Sequence, residues 1–78
     1  MKHVAIYTTP SCVYCQKAKI FFNERAITFT EFNVASDAMR RQEMLDRSGQ
    51  MTVPVIDING AIIVGFDRLK VKELLGIT

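Results

Sequence analysis

Apolar positions along this 78-residue chain fall into short clusters separated by polar turn residues, and their spacing changes from cluster to cluster. Within residues 3–7, Val4, Ala5 and Ile6 follow one another without a break. The run stops at Thr8-Thr9-Pro10-Ser11, the pattern of a buried strand bounded by a turn. Further on, Cys15, Ala18 and Phe22 recur at the spacing of one helical face, while Lys17, Lys19, Asn23 and Glu24 occupy much of the remainder. This predicts a helix over 16–25, with Pro10 and Ser11 marking its start, Ser11 as N-cap, and Ala26-Ile27 closing it. Residues 28–34 alternate polar and apolar and are β-branched or aromatic. Phe29 and Phe32 break strict alternation, yet a strand is the better reading.

Ser36 and Asp37 offer N-caps for a second helix reaching about Ser48, with Gly49 at its C-terminal cap. Ala38, Met44 and Leu45 give that helix only a narrow apolar stripe, so it should lie on the surface. Residues 54–58 read as a third strand. Asn59-Gly60 is the strongest hairpin signal in the chain, and residues 61–64 return as the partner strand. After Gly65-Phe66, Asp67 is an N-cap for a last helix whose Val71, Leu74 and Leu75 share one face. Gly76 ends it, with Ile77 folding back on Val71. The order is β-α-β-α-β-β-α. A parallel first pair with a right-handed crossover and an antiparallel last pair give a single α/β domain over 1–78, a mixed four-stranded sheet with helices on both faces.

Composition narrows the class. Hydrophobic residues make up 49% of the chain, enough for a core. A domain of this size buries only roughly 60% of its unfolded surface, so the fold must be economical. The net charge of +2 is too small to argue for nucleic acid. No apolar run approaches the ~20 residues that span a bilayer, and Met1-Lys2 leads straight into a strand without the features of a signal peptide. The expectation is a cytoplasmic monomer.

The candidate chemistry lies between the first strand and the first helix, where Cys12 and Cys15 form a C-x-x-C pair. A disulfide closing so short a loop stabilises little, so the pair is there for reaction rather than as a staple. A free thiol has a pKa of ~8.5, and helix N-termini and C-x-x-C settings lower it to about 3.5–7.5. Cys12 would sit at the positive end of the helix dipole, suited to a nucleophilic thiolate. Cys15, one turn deeper on the face of Ala18 and Phe22, would be the buried resolving thiol. The competing use of the pair is half of a zinc site. Such sites want four ligands, and the other candidate is His3, at the far end of the first strand.

The chain resembles the glutaredoxins, the minimal thioredoxin fold with strand order 2-1-3-4, over nearly its whole length. The resemblance rests on Tyr7-Thr8, Cys12-Val13-Tyr14-Cys15, Thr52-Val53-Pro54 and Gly65-Phe66-Asp67. It implies a dithiol oxidoreductase acting on protein disulfides or glutathione mixed disulfides, with no bound cofactor and glutathione as reductant. It further implies that Pro54 is cis and faces the dithiol. Thr52 and Val53 would bind substrate or glutathione, Val53 through its backbone. Gly65 and Phe66 would adjoin the ligand, Asp67 would meet the α-amino group of glutathione, and Tyr14 would pack beside it.

Four positions depart from the family pattern. Thr9 stands where a carboxylate-binding Lys is usual, Val64 where a Gly is usual, Arg68 where a second acid is frequent, and Val13 where Pro is usual. Val13 and Gly65-Phe66 are similar to the redoxins that take electrons from thioredoxin reductase and reduce ribonucleotide reductase. Glutathione and thioredoxin reductase are therefore both expected as possible partners. An iron–sulfur carrier sharing a cluster through Cys12 and glutathione is the alternative from another class.

Overall fold

Every predicted element forms, in the predicted order: β1 (Val4–Thr8), α1 (Val13–Glu24), β2 (Thr30–Asn33), α2 (Ala38–Ser48), β3 (Val55–Ile58), β4 (Ala61–Val64) and α3 (Arg68–Leu75). The computed structural model describes residues 3–77. The sheet order is β2-β1-β3-β4. β1 runs parallel to β2, with Tyr7 opposite Phe32, and antiparallel to β3, with Tyr7 opposite Val55. β3 and β4 are the antiparallel hairpin that Asn59-Gly60 predicts. Both turn residues have positive φ, 51° and 93°, as the tightest right-twisting hairpin turn requires. The topology is the minimal thioredoxin fold.

The sheet separates two cores. On one face Val4, Ile6, Ile56, Ile58 and Ile63 meet Ala18, Phe21 and Phe22 of α1 and Val71 of α3. On the other, Tyr7, Val34 and Val55 meet Met44 of α2. This explains the irregular spacing of Phe29 and Phe32 at and before β2. Phe29 packs on the α1–α3 core and Phe32 on the α2 core, so each serves a different face of the sheet. Of the narrow stripe predicted for α2, Met44 is buried and Leu45 half-buried, but Ala38 is exposed and does not belong to the packed face.

Boundaries differ from the expectation in detail: β1 spans Val4–Thr8 rather than 3–7, and β3 starts at Val55 rather than 54. The N-cap of α1 is Cys12, not Ser11. The Cys12 sulfur accepts the Cys15 N–H, and helical geometry starts at Val13. β2 spans four residues rather than 28–34. Between the two candidate caps of α2, Asp37 does the work, accepting the Arg40 N–H at 3.1 Å. The far end of α1 closes in a Schellman arrangement, with Ile27 N–H on the Phe22 carbonyl at 2.8 Å and Ala26 N–H on the Asn23 carbonyl at 3.1 Å. Ala26 takes the left-handed conformation there, φ 55°, where glycine is usual. α3 ends in the same arrangement at Gly76, and Ile77 packs on the core that contains Val71.

Candidate redox site

The site forms at one end of the sheet because three chain segments reach that end together. β1 leaves the sheet at Thr8. Continuing the antiparallel register by one step sets Pro54 opposite Thr8, and the β3–β4 register sets Gly65 opposite Pro54. The Gly65 N–H donates to the Pro54 carbonyl at 2.8 Å, which extends the ladder one rung past β4. The Val53–Pro54 peptide is cis, as expected. Gly65 has φ 86°, a conformation that lets the chain turn from β4 into Phe66 without a side-chain penalty.

From Thr8 the chain turns at once into α1. The Cys12 N–H reaches back to the Thr9 carbonyl at 3.3 Å, and the Cys12 carbonyl accepts the Gln16 N–H at 3.3 Å. Cys12 and Cys15 are joined as a disulfide, with Cα atoms 5.2 Å apart. That lies within the ordinary disulfide range, so the backbone is already placed for closing and opening the bond. Cys12 is half-buried, whereas Cys15 is fully buried on the α1–sheet interface. The Cys15 N–H points at the Cys12 sulfur, 3.1 Å away. With the free amides of the first turn, it favours negative charge on that sulfur.

The remaining predicted residues cluster around this turn to different degrees. Tyr14 is 60% exposed between the cysteines, and Lys17 lies over its ring at 5.1 Å. Thr52 is exposed, Val53 half-buried and Pro54 buried, in the segment that enters β3. Phe66 is half-buried against Phe21, ring centroids 5.7 Å apart. Asp67 is exposed and caps α3, accepting the Lys70 N–H at 3.2 Å. His3 stands at the opposite end of β1, where its N–H donates to the Asn59 side-chain Oδ1 and its carbonyl accepts the Asn59 N–H, on the order of 17 Å of strand from the dithiol turn.

Pattern reading missed two polar clusters beneath the turn. On the α1 face the buried Thr8 hydroxyl donates to Glu31 at 2.7 Å, and Lys19 pairs with the same oxygen at 2.9 Å. The Thr8 hydrogen bond, then Lys19, holds the Glu31 carboxyl below its ordinary range. On the α2 face the fully buried Tyr7 donates its hydroxyl to Glu43, which also receives Arg40 at 3.1 Å. Arg47 pairs with the buried Asp57 of β3. Burial, then the bond to Glu43, pushes the Tyr7 phenol up. The Tyr7 hydroxyl, then Arg40, draws the Glu43 carboxyl down, and Tyr7 and Asp57 raise Arg47. A signal for this network was present. Asp57 interrupts an apolar strand, and a buried carboxylate demands a partner. Arg40, Glu43 and Arg47 recur at helical spacing on α2.

The sequence pattern of the glutaredoxin family matches residues 4–63. This chain belongs to the glutaredoxin family. Its similarity to glutaredoxin 3 of Escherichia coli is 38% identity, covering 97% of this chain and 92% of that protein. A glutaredoxin-like 8.6 kDa protein of the rubredoxin operon of Clostridium pasteurianum is 43% identical, over 92% of this chain and 96% of its own. Among solved structures, the T8A mutant of the thioredoxin-like protein BC3987 superposes with a TM-score of 0.92 at 31% identity, all of both chains covered. With family membership and the Cys12–Cys15 pair together, the chain is a thiol–disulfide oxidoreductase. Among the described residues, no helix is long and apolar enough to cross a membrane.

Proposed function

We propose that this glutaredoxin-family chain reduces protein disulfides, and mixed disulfides with glutathione, through Cys12 and Cys15. The observation that carries the reading is the asymmetry of the pair. One sulfur is partly open and aimed at by an amide, and the other is sealed in the core. In the reduced protein the Cys12 thiolate attacks one sulfur of the substrate disulfide. A new S–S bond forms, the substrate bond breaks, and the departing thiolate takes a proton. Cys15 then gives up its proton and attacks the Cys12 sulfur. The second substrate thiol leaves, and the Cys12–Cys15 disulfide holds the two oxidising equivalents. Two glutathione molecules, or a flavoprotein thioredoxin reductase, return the electrons.

Val53 offers its backbone to an extended substrate strand beside Pro54, with Thr52 at the entrance. Gly65 and Phe66 form the facing wall, Tyr14 covers the cysteine turn, and Asp67 meets an amino group. The Gly65–Pro54 bond supports this arrangement because it ties the two walls together.

The test is NADPH oxidation on one disulfide substrate, coupled once through glutathione and glutathione reductase and once through thioredoxin reductase. Turnover is expected in at least one coupling and is abolished by Cys12→Ser. Cys15→Ser should keep exchange with glutathione mixed disulfides and lose protein disulfide reduction. Residual dithiol turnover in Cys12→Ser would sink the proposal.

A further inference from the structure

The face of α1 that leads away from the dithiol carries charge that the redox chemistry does not use. Tyr14, Lys17 and Phe21 lie at i, i+3 and i+7, one row of the helix. Lys17 rests 5.1 Å over the Tyr14 ring. At the next turn the Phe21 ring is flanked by two guanidinium groups, that of Arg68 of α3 with its carbon 5.3 Å from the centroid and that of Arg25 at 4.9 Å. Phe66 touches the same ring and connects through Gly65 to Pro54. A continuous strip thus runs from the cysteine turn, along α1, to the first turn of α3.

Among the described residues, neither Lys17 nor Arg68 is in an ion pair. Aromatic faces hold both cations, with no carboxylate for a ligand to displace. The acid nearest to Arg68 in sequence, Asp67, already caps α3. Large apolar side chains stand exposed beside the cations: Val13 at 64%, Tyr14 at 60% and Leu69 at 75%.

We infer that this strip is a docking surface for a protein segment carrying acidic residues, with apolar ones among them, next to the cysteine being reduced. Lys17 and Arg68 select the acids, and the inference rests on the oxidoreductase reading above. Charge complementarity is the main argument, and the exposed apolar side chains commit the occupant to protein. Glutathione offers carboxylates but no large apolar group to cover Tyr14 or Leu69. Exposed cations of this kind act through steering and modest pairing, both weakened by salt.

Two synthetic disulfide peptides of equal length test it, one with Glu and Leu flanking the cysteine, the other with Lys in place of Glu. The expected kcat/KM ratio favours the acidic peptide by about tenfold at low ionic strength. It should fall toward one in high salt, and in the Lys17→Gln/Arg68→Gln double variant at low salt. Equal rates for the two peptides, or a preference that survives in the variant, overturn the inference.

A binding arm needs no turnover. The same peptides with Ser for Cys are titrated into the protein by NMR, and the acidic one should shift the side-chain signals of Lys17 and Arg68. Shifts without any turnover would defeat the oxidoreductase reading alone. Turnover without acid preference, or an acidic peptide that moves neither signal, would defeat the docking surface alone.

Discussion

Tyr7 shows how one residue couples the interior to the site. Its ring packs against Phe32, its hydroxyl serves Glu43, and its chain neighbour Thr8 is the last residue of the strand that delivers the dithiol turn. Two pH limits follow from the shifts at Tyr7, at its partner Glu43 and at Glu31, the partner of Thr8. Glu43 and Glu31 both have carboxyls lowered by folding, so their stabilisation is complete above the unfolded glutamate pKa of about 4.3. It is lost as pH falls through the lowered folded values. The Tyr7 phenol is raised by folding, so its contribution is complete below about pH 10 and is lost as pH rises above that. Urea unfolding of Tyr7→Phe across this range should show a loss of about 1 kcal/mol near neutrality, a shallower decline on the acid side, and a flatter alkaline limb. Unchanged pH profiles would show that the hydroxyl does not govern Glu43.

At the scale of elements, the caps separate what patterns reveal from what they hide. Asp37, Gly49, Asp67 and Gly76 are residue types strongly preferred at helix ends, and each stands at the cap its type predicts. Cys12 was invisible as a cap because a thiol is not among the preferred N-cap side chains and Ser11 is. The capping sulfur is specified by how the turn after Thr8 is tied to Thr9. Ala26 was hidden for a similar reason, since an alanine advertises helix and here adopts the left-handed turn that ends one.

Asp67 offers a test of a cap beside a reaction site. Asp67→Asn retains a good capping oxygen and should leave unfolding within a few tenths of a kcal/mol, while Asp67→Ala should cost about 1 kcal/mol. If the carboxylate also holds the amino group of glutathione, both variants raise the KM for glutathione. A rise in the alanine variant alone would confine Asp67 to capping.

For the whole molecule, the order of elements and the α1–α3 core were readable because apolar spacing there follows the helix and strand periods closely. The α2 face was less so, because beside its small apolar cluster it is bound by a set of charges around one buried tyrosine. Such partners are brought together by sheet register rather than by sequence proximity. The registry of three strands, β1, β3 and β4, likewise places Thr8, Pro54 and Gly65 side by side although 57 positions separate the first and last.

The sealing of Cys15 carries a consequence of a different kind. The chain has two cysteines, so an alkylating reagent applied to reduced protein can add at most two tags, and the mass of each molecule counts them. Cys12 should be tagged promptly. The second tag has to wait until the start of α1 lifts from the sheet, and its rate in native buffer therefore measures how often that end of the molecule opens. A second tag arriving as fast as the first would mean that α1 opens too readily to seal anything. A slow one makes the resolving thiol a built-in clock for local unfolding, readable by mass spectrometry without a denaturant.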